Sequence, residues 1–150
     1  MPCNAIAVVY TNGLIVEPTA RAQRRSVLDH GVAAPEFRAA IENFLKMLAR
    51  MEASLQKSEW LAGPDLSLAD GAVLPYVLRL EHLGLYDLMR SHPAVSAWFS
   101  RMMQRPSFED SIGRWIPEGS IGLLQQEALN EQEAIRKLLN GIESDREHAL

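Results

Sequence analysis

The sequence predicts an all-α protein. Apolar residues recur at steps of three and four over several segments, Pro and Gly stand at the expected starts and stops, and no alternating apolar run finds a strand partner. With 150 residues, 47% of them hydrophobic and 23% charged, the chain has ordinary globular composition. A chain of this length buries roughly 70% of its unfolded surface and needs no staple to hold a core.

The first segment, Ala5–Val16, is apolar, and its Val8, Val9, Ile15 and Val16 suit a strand as well as a helix. It is shorter than the ~18 residues of a membrane span, and Thr11, Asn12 and Gly13 interrupt it. Ala20-x-Ala22 has the look of a signal cleavage site, yet no Lys or Arg precedes the run. A cytoplasmic protein is expected. The next stretch, Glu17–Ala34, is rich in small and charged residues and is expected to be flexible.

From Pro35 to Lys57 the apolar positions Phe37, Ile41, Phe44, Leu45, Leu48, Met51 and Leu55 form one helical stripe. Pro35 suits the first helical position, and Glu42 lies four residues before Lys46 on the wet side. Gly63-Pro64-Asp65 then marks a turn. Ser67 and Asp70 have the spacing of a capping box, the hydroxyl serving the Asp70 N–H and the carboxylate reaching back to the Ser67 N–H. The helix that follows, Leu68 to about Leu83, is apolar nearly all round and is expected to lie buried at the centre. Pro75 should kink it. Gly84 should end it as a left-handed cap, with Leu85 folding back.

A third helix opens at Pro93, carries Val95, Trp98, Phe99 and Met102 on one face, and stops at Arg105-Pro106. A short helical turn over Phe108–Trp115 ends before Pro117, and residues 118–122 read as a loop. Leu124, Ala128, Ile135, Leu138 and Ile142 place one amphipathic helix over Leu123 to Ile142. The pattern divides the chain into a helical domain, 1–117, and a loop with helical tail, 118–150.

Several functions are excluded or disfavoured. A net charge of −4 is wrong for a globally basic nucleic-acid binder. No G-x-S-x-G, P-loop or G-x-G-x-x-G occurs. Cys3, the one cysteine, makes no internal disulfide or thiolate cage, and without a CxxC it reads as an unpaired thiol before a redox nucleophile. His30, His82, His92 and His148 lack metal-ligand spacing, so no metal is expected. Arg21, Arg24 and Arg25 read as a solvated cluster before an anion site. Met47, Met51, Met102 and Met103 sit at helical spacing and read as core, some able to line an adaptable pocket.

Trp60-Leu61-Ala62-Gly63, Leu66-Ser67-Leu68-Ala69-Asp70, Pro75-Tyr76-Val77-Leu78-Arg79-Leu80, His92-Pro93-Ala94-Val95-x-x-Trp98 and Arg105-Pro106-Ser107-Phe108 occur in that order. Together they resemble the helical C-terminal domain of glutathione S-transferases, from about Pro2 to Pro117. The resemblance implies a helical bundle in which the capped helix is a shared folding element. It implies a surface that lines a hydrophobic co-substrate pocket and another that joins a dimer. One departure is Gly71, opposite Leu66, where the family has a bulky apolar residue for a hydrophobic staple.

The family binds glutathione on an N-terminal thioredoxin-like domain, which supplies the catalytic Ser, Tyr or Cys. No βαβ pattern precedes the helices here, so that domain is expected to be absent and no catalytic residue carries over. Ser67 and Asp70 read as a structural cap instead of a catalytic pair. Tyr10 and Thr11 on the first segment, with Arg114 and Trp115 after the last motif, are candidates for the co-substrate pocket, with plain packing as the alternative. The resemblance thus implies the co-substrate-binding half of a glutathione S-transferase-like protein, without the glutathione site and inactive alone. No cofactor is expected, glutathione entering only where a thioredoxin-like domain is supplied. A non-catalytic helical interaction module and a small apolar-ligand binder are the alternatives. The expected partners are a second copy or the thioredoxin-like half, with an apolar small molecule, and neither nucleic acid nor membrane.

Overall fold

The structure, a computed structural model, describes residues 17–148. The described residues are helical with short connections: α1 (Pro18–His30), a 3₁₀ turn (Gly31–Ala33), α2 (Pro35–Leu55), α3 (Leu68–His82), α4 (Asp87–Arg90), α5 (Pro93–Met103), α6 (Pro106–Ser111), a second 3₁₀ turn (Gly113–Trp115), α7 (Ser120–Asn130) and α8 (Gln132–Glu147). Among the described residues the extended pairing is a single bridge, Trp60 with Gly63, that closes the turn before α3. No described helix is long and apolar enough to cross a membrane. The ambiguous segment Ala5–Val16 lies outside the described residues.

Two compact units form. One takes residues 17–43 with 131–148; the other is Phe44–Asn130. In the first unit Ala34, Ile41, Ile135 and Ile142 are buried. Arg38 joins α2 to α8 there by an ion pair with Asp145 at 2.6 Å, while its Nε holds Glu42 at 3.0 Å. In the second unit the predicted stripes meet. Leu48, Met51 and Leu55 from α2 pack with Leu74, Val77, Leu78 and Leu80 from α3, with Met89, and with Val95, Trp98, Phe99 and Met102 from α5. The spacing had placed every one of the four α5 residues on one face, and all four are buried.

Four expectations need correction. Residues 17–34 are helix followed by a 3₁₀ turn, not a flexible stretch. The Glu17 carboxylate caps α1 by accepting from the Thr19 and Ala20 N–H groups, Pro18 fills the first turn, and Gly31 at φ 56° ends it. Residues 118–122 are not all loop, because α7 begins at Ser120, and the tail is two helices broken at Glu131. The helix from Leu68 is not buried all round. Asp70, Leu74, Val77 and Leu78 form its buried stripe, whereas Leu68 is 93% and Tyr76 58% exposed. Composition alone made it look central; packing covers one side. It runs through Pro75 to His82 as one helix, and it stops as the sequence predicts. Gly84 at φ 67° donates to Glu81 O at 2.9 Å and Leu85 to Leu80 O at 2.8 Å, the paired bonds of a Schellman stop.

Candidate functional site

Asp70 is the most heavily bonded side chain of the second unit. It is fully buried, and two donors reach each oxygen. Oδ1 accepts from Leu61 N at 3.0 Å and Trp98 Nε1 at 2.8 Å; Oδ2 accepts from Ser67 N at 2.9 Å and Ser67 Oγ at 2.7 Å. A carboxylate offers about four acceptor positions, so all are filled. Burial pushes the carboxyl pKa up, but the bonds from Leu61, Ser67 and Trp98 outweigh it and hold the group below the ordinary aspartate range. The Ser67 hydroxyl accepts from Ala69 N at 3.2 Å, and the reciprocal capping box is formed. A base with no free lone pair and no solvent has nothing with which to take a proton. The pair ties the Leu61 turn, the start of α3 and Trp98 of α5 together.

A second buried-end device was not legible in the sequence. Pro93 opens α5 without an N–H, and His92 offers no side-chain cap. Glu52, on α2, accepts from Ala94 N at 3.2 Å and Val95 N at 3.0 Å, satisfying donors that the helix start leaves orphaned. Burial raises the Glu52 pKa, and the two backbone N–H groups, Gln56 and nearby His92 bring it below the usual value.

Concave surface lies along α3 and the α6 segment. A groove of about 320 Å³ is walled by Pro75, Leu78, Ile112, Trp115 and Ile116, with Arg79, His82 and Ser111 as its polar members. Burial, and then the charge of Arg79, lower the His82 pKa, with Glu81 opposing. Both causes favour the neutral ring. Beside it, a smaller cleft of about 200 Å³ is lined by Leu74, Met102 and Phe108 and by Arg105, Ser107 and Ser111, among others. Ser111 belongs to both.

Of the candidates for the co-substrate pocket, Trp115 lines the larger groove and is 73% exposed. Its indole donates to Asp110 O at 3.3 Å. Arg114 is not a wall of that groove; its guanidinium pairs with the Asp110 carboxylate. Tyr10 and Thr11 lie outside the described residues, as does Cys3. Among the described residues no group of three or more His, Cys, Asp or Glu is placed to hold a metal ion. Arg79 and Arg105 appear in the sequence only as motif residues and His82 only as a weighed metal ligand, so none of the three was expected at a groove.

The glutathione S-transferase C-terminal domain model matches residues 20–106. A probable glutathione S-transferase from Oryza sativa subsp. japonica is 35% identical over 79 residues, 53% of this chain and 36% of that protein. Glutathione S-transferase 1 from Zea mays is 38% identical over 69 residues, 46% of this chain and 32% of that protein. Glutathione S-transferase F9 from Arabidopsis thaliana is 33% identical over 75 residues, 49% and 35% of the two chains. The chain thus spans about a third of the length of these relatives. No solved structure matches it. The capping box, the Schellman stop after α3 and the buried face of α5 all fall inside the matched stretch, and the chain belongs to the glutathione S-transferase C-terminal domain family.

Proposed function

We propose that this chain is the helical, co-substrate-binding half of a glutathione transferase-like protein. The groove beside Trp115 carries the reading: it is concave, mostly apolar, and has few polar groups, the usual build of a small-molecule site. Its apolar walls suit an aromatic compound, with the Arg79 guanidinium as the charged member of the lining. Glutathione would be held and its thiolate activated on a thioredoxin-like half, since activation needs a donor or base at the sulfur. This half would supply shape and exclude water, with Trp115 as a wall. A single cysteine fits a reducing compartment such as the cytoplasm.

Titration of the full chain with nitrobenzene, a neutral aromatic quencher, should give saturable loss of tryptophan fluorescence that Trp115→Ala removes. Quenching that rises linearly and is the same in the variant would overturn the groove. The same chain, mixed with glutathione and an aryl halide, should release no halide, and calorimetry with glutathione should show no saturable heat. Clear micromolar binding would overturn the division of labour between the two halves.

A non-catalytic interaction module is the second reading. It is favoured by the apolar side chains that α3 and α7 leave exposed, Leu68, Tyr76, Leu123 and Leu129. A homodimer is the partner we propose for this chain, as a use of such exposed faces.

A further inference from the structure

The break between α7 and α8 has no local cause. Residues 128–134 read Ala-Leu-Asn-Glu-Gln-Glu-Ala, without Gly or Pro, and all but Asn130 are good helix formers. Glu131 is the single residue between the two helices, at φ −102° and ψ 2°, and its side chain makes no cap. A change of about 40° in each dihedral returns it to helical values. The apolar stripe runs on across the break. Ile121, Leu124 and Ala128 are half-buried on α7; Ile135 and Ile142 are buried and Leu138 half-buried on α8, all at steps of three, four and seven. What separates the helices is tertiary, since the break falls at the boundary of the two units. α7 lies against α3, whereas α8 lies against the turn over Gly31–Ala33. Asp145 of α8 pairs there with Arg38 of α2 at 2.6 Å.

We propose that α8 is exchanged between two copies of this chain. Glu131 straightens, residues 120–147 become one helix about 40 Å long, and each α8 docks on residues 31–41 of the other copy. The docking contacts are those that a single chain already makes, which is why such an exchange is a low-cost route to a dimer. Straightening also removes an uncapped helix start, whose N–H groups then find carbonyls one turn back. Association entropy opposes the exchange, so it follows chain concentration. This mode of pairing is separate from the exposed faces of α3 and α7, and it stands whether or not the Trp115 groove takes a co-substrate.

Charge reversal in the full chain tests it. Arg38→Glu sets two carboxylates against each other at the docking site, and Asp145→Arg sets two cations there. Each variant alone therefore opposes its own α8 and that of an identical copy. Both side chains are partly exposed, so the buried isoleucines keep their places. A mixture of the two variants, refolded together from urea, restores opposite charges at both docking sites only where α8 is exchanged. Light scattering should find about fivefold more dimer in the mixture than in either variant at the same total concentration. A second pair of variants acts on the hinge and leaves the docking site alone. Glu131→Ala should dimerise about twentyfold more tightly than Glu131→Gly, because two hinges each carry the helix preference of alanine over glycine. No gain on mixing, or equal dimerisation by the two hinge variants, would overturn the exchange. A dimer built on Leu68, Tyr76, Leu123 and Leu129 depends on neither change, so the two modes of association fail separately.

Discussion

At the scale of the residue, Asp70 decides more than its place in a capping box implies. Its spacing from Ser67 was legible because both partners lie on one helical turn. The bonds from Leu61 N and Trp98 Nε1 were not, because they come from a turn and from a helix 28 residues away. The two halves of its bonding predict different costs. Ser67→Ala removes one cap and should cost about 1 kcal/mol. Asp70→Asn places an amide N–H₂ against one pair of donors whichever way it turns. It should cost more, about 2–3 kcal/mol for a buried charged acceptor lost. The folded pKa of Asp70 lies below the unfolded one, so its stabilisation is present above the unfolded value, about 3.9. It is lost as the pH falls through the folded value. Urea midpoints for the two chains should therefore differ most near neutrality and converge below about pH 4. A gap that stays constant down to pH 3 would show that Asp70 is not held ionised.

At the scale of the element, stripes were easier to read than ends. Residues 35–55 and 93–103 declared themselves because their buried positions recur at three and four. Residues 18–30 did not. That helix has no fully buried residue, and its ends are set by the Glu17 carboxylate and by Gly31. The four-residue α4 left no periodic trace at all. The start of α5 shows the same difficulty over a longer distance, since Glu52 lies 42 residues before the first N–H that it serves. Glu52→Ala puts a better helix former into α2, so any loss comes from the cap. It should cost about 1 kcal/mol. Hydrogen exchange at the Ala94 and Val95 amides should quicken while the middle of α3 is unchanged. Unaltered exchange at both amides would remove Glu52 from this role.

At the scale of the whole molecule, the exposed Leu68, Tyr76, Leu123 and Leu129 bear on association. Monomers rarely expose more than a few hundred Å² of apolar surface in one patch, and closed pairs are the commonest answer. Light scattering on the full chain should show a dimer that dissociates on dilution. A strict monomer at every concentration, with no binding of a surface-sensitive dye, would mean the chain needs no second copy. The sequence by itself determined the all-helical class, the α2 and α5 stripes, the cap and stop of α3, and the family resemblance. The stripes, the cap and the stop each depend on residues within a few positions of one another, where helical geometry fixes the contact. Tertiary structure alone decided that α8 joins the unit of residues 17–43, that α3 shows an exposed side, and that Glu52 caps a distant helix. It also decided that Arg101 and Arg105 both lie over the Trp60 ring. Those outcomes depend on which helix faces come together, and residue spacing along one helix carries no record of its neighbours.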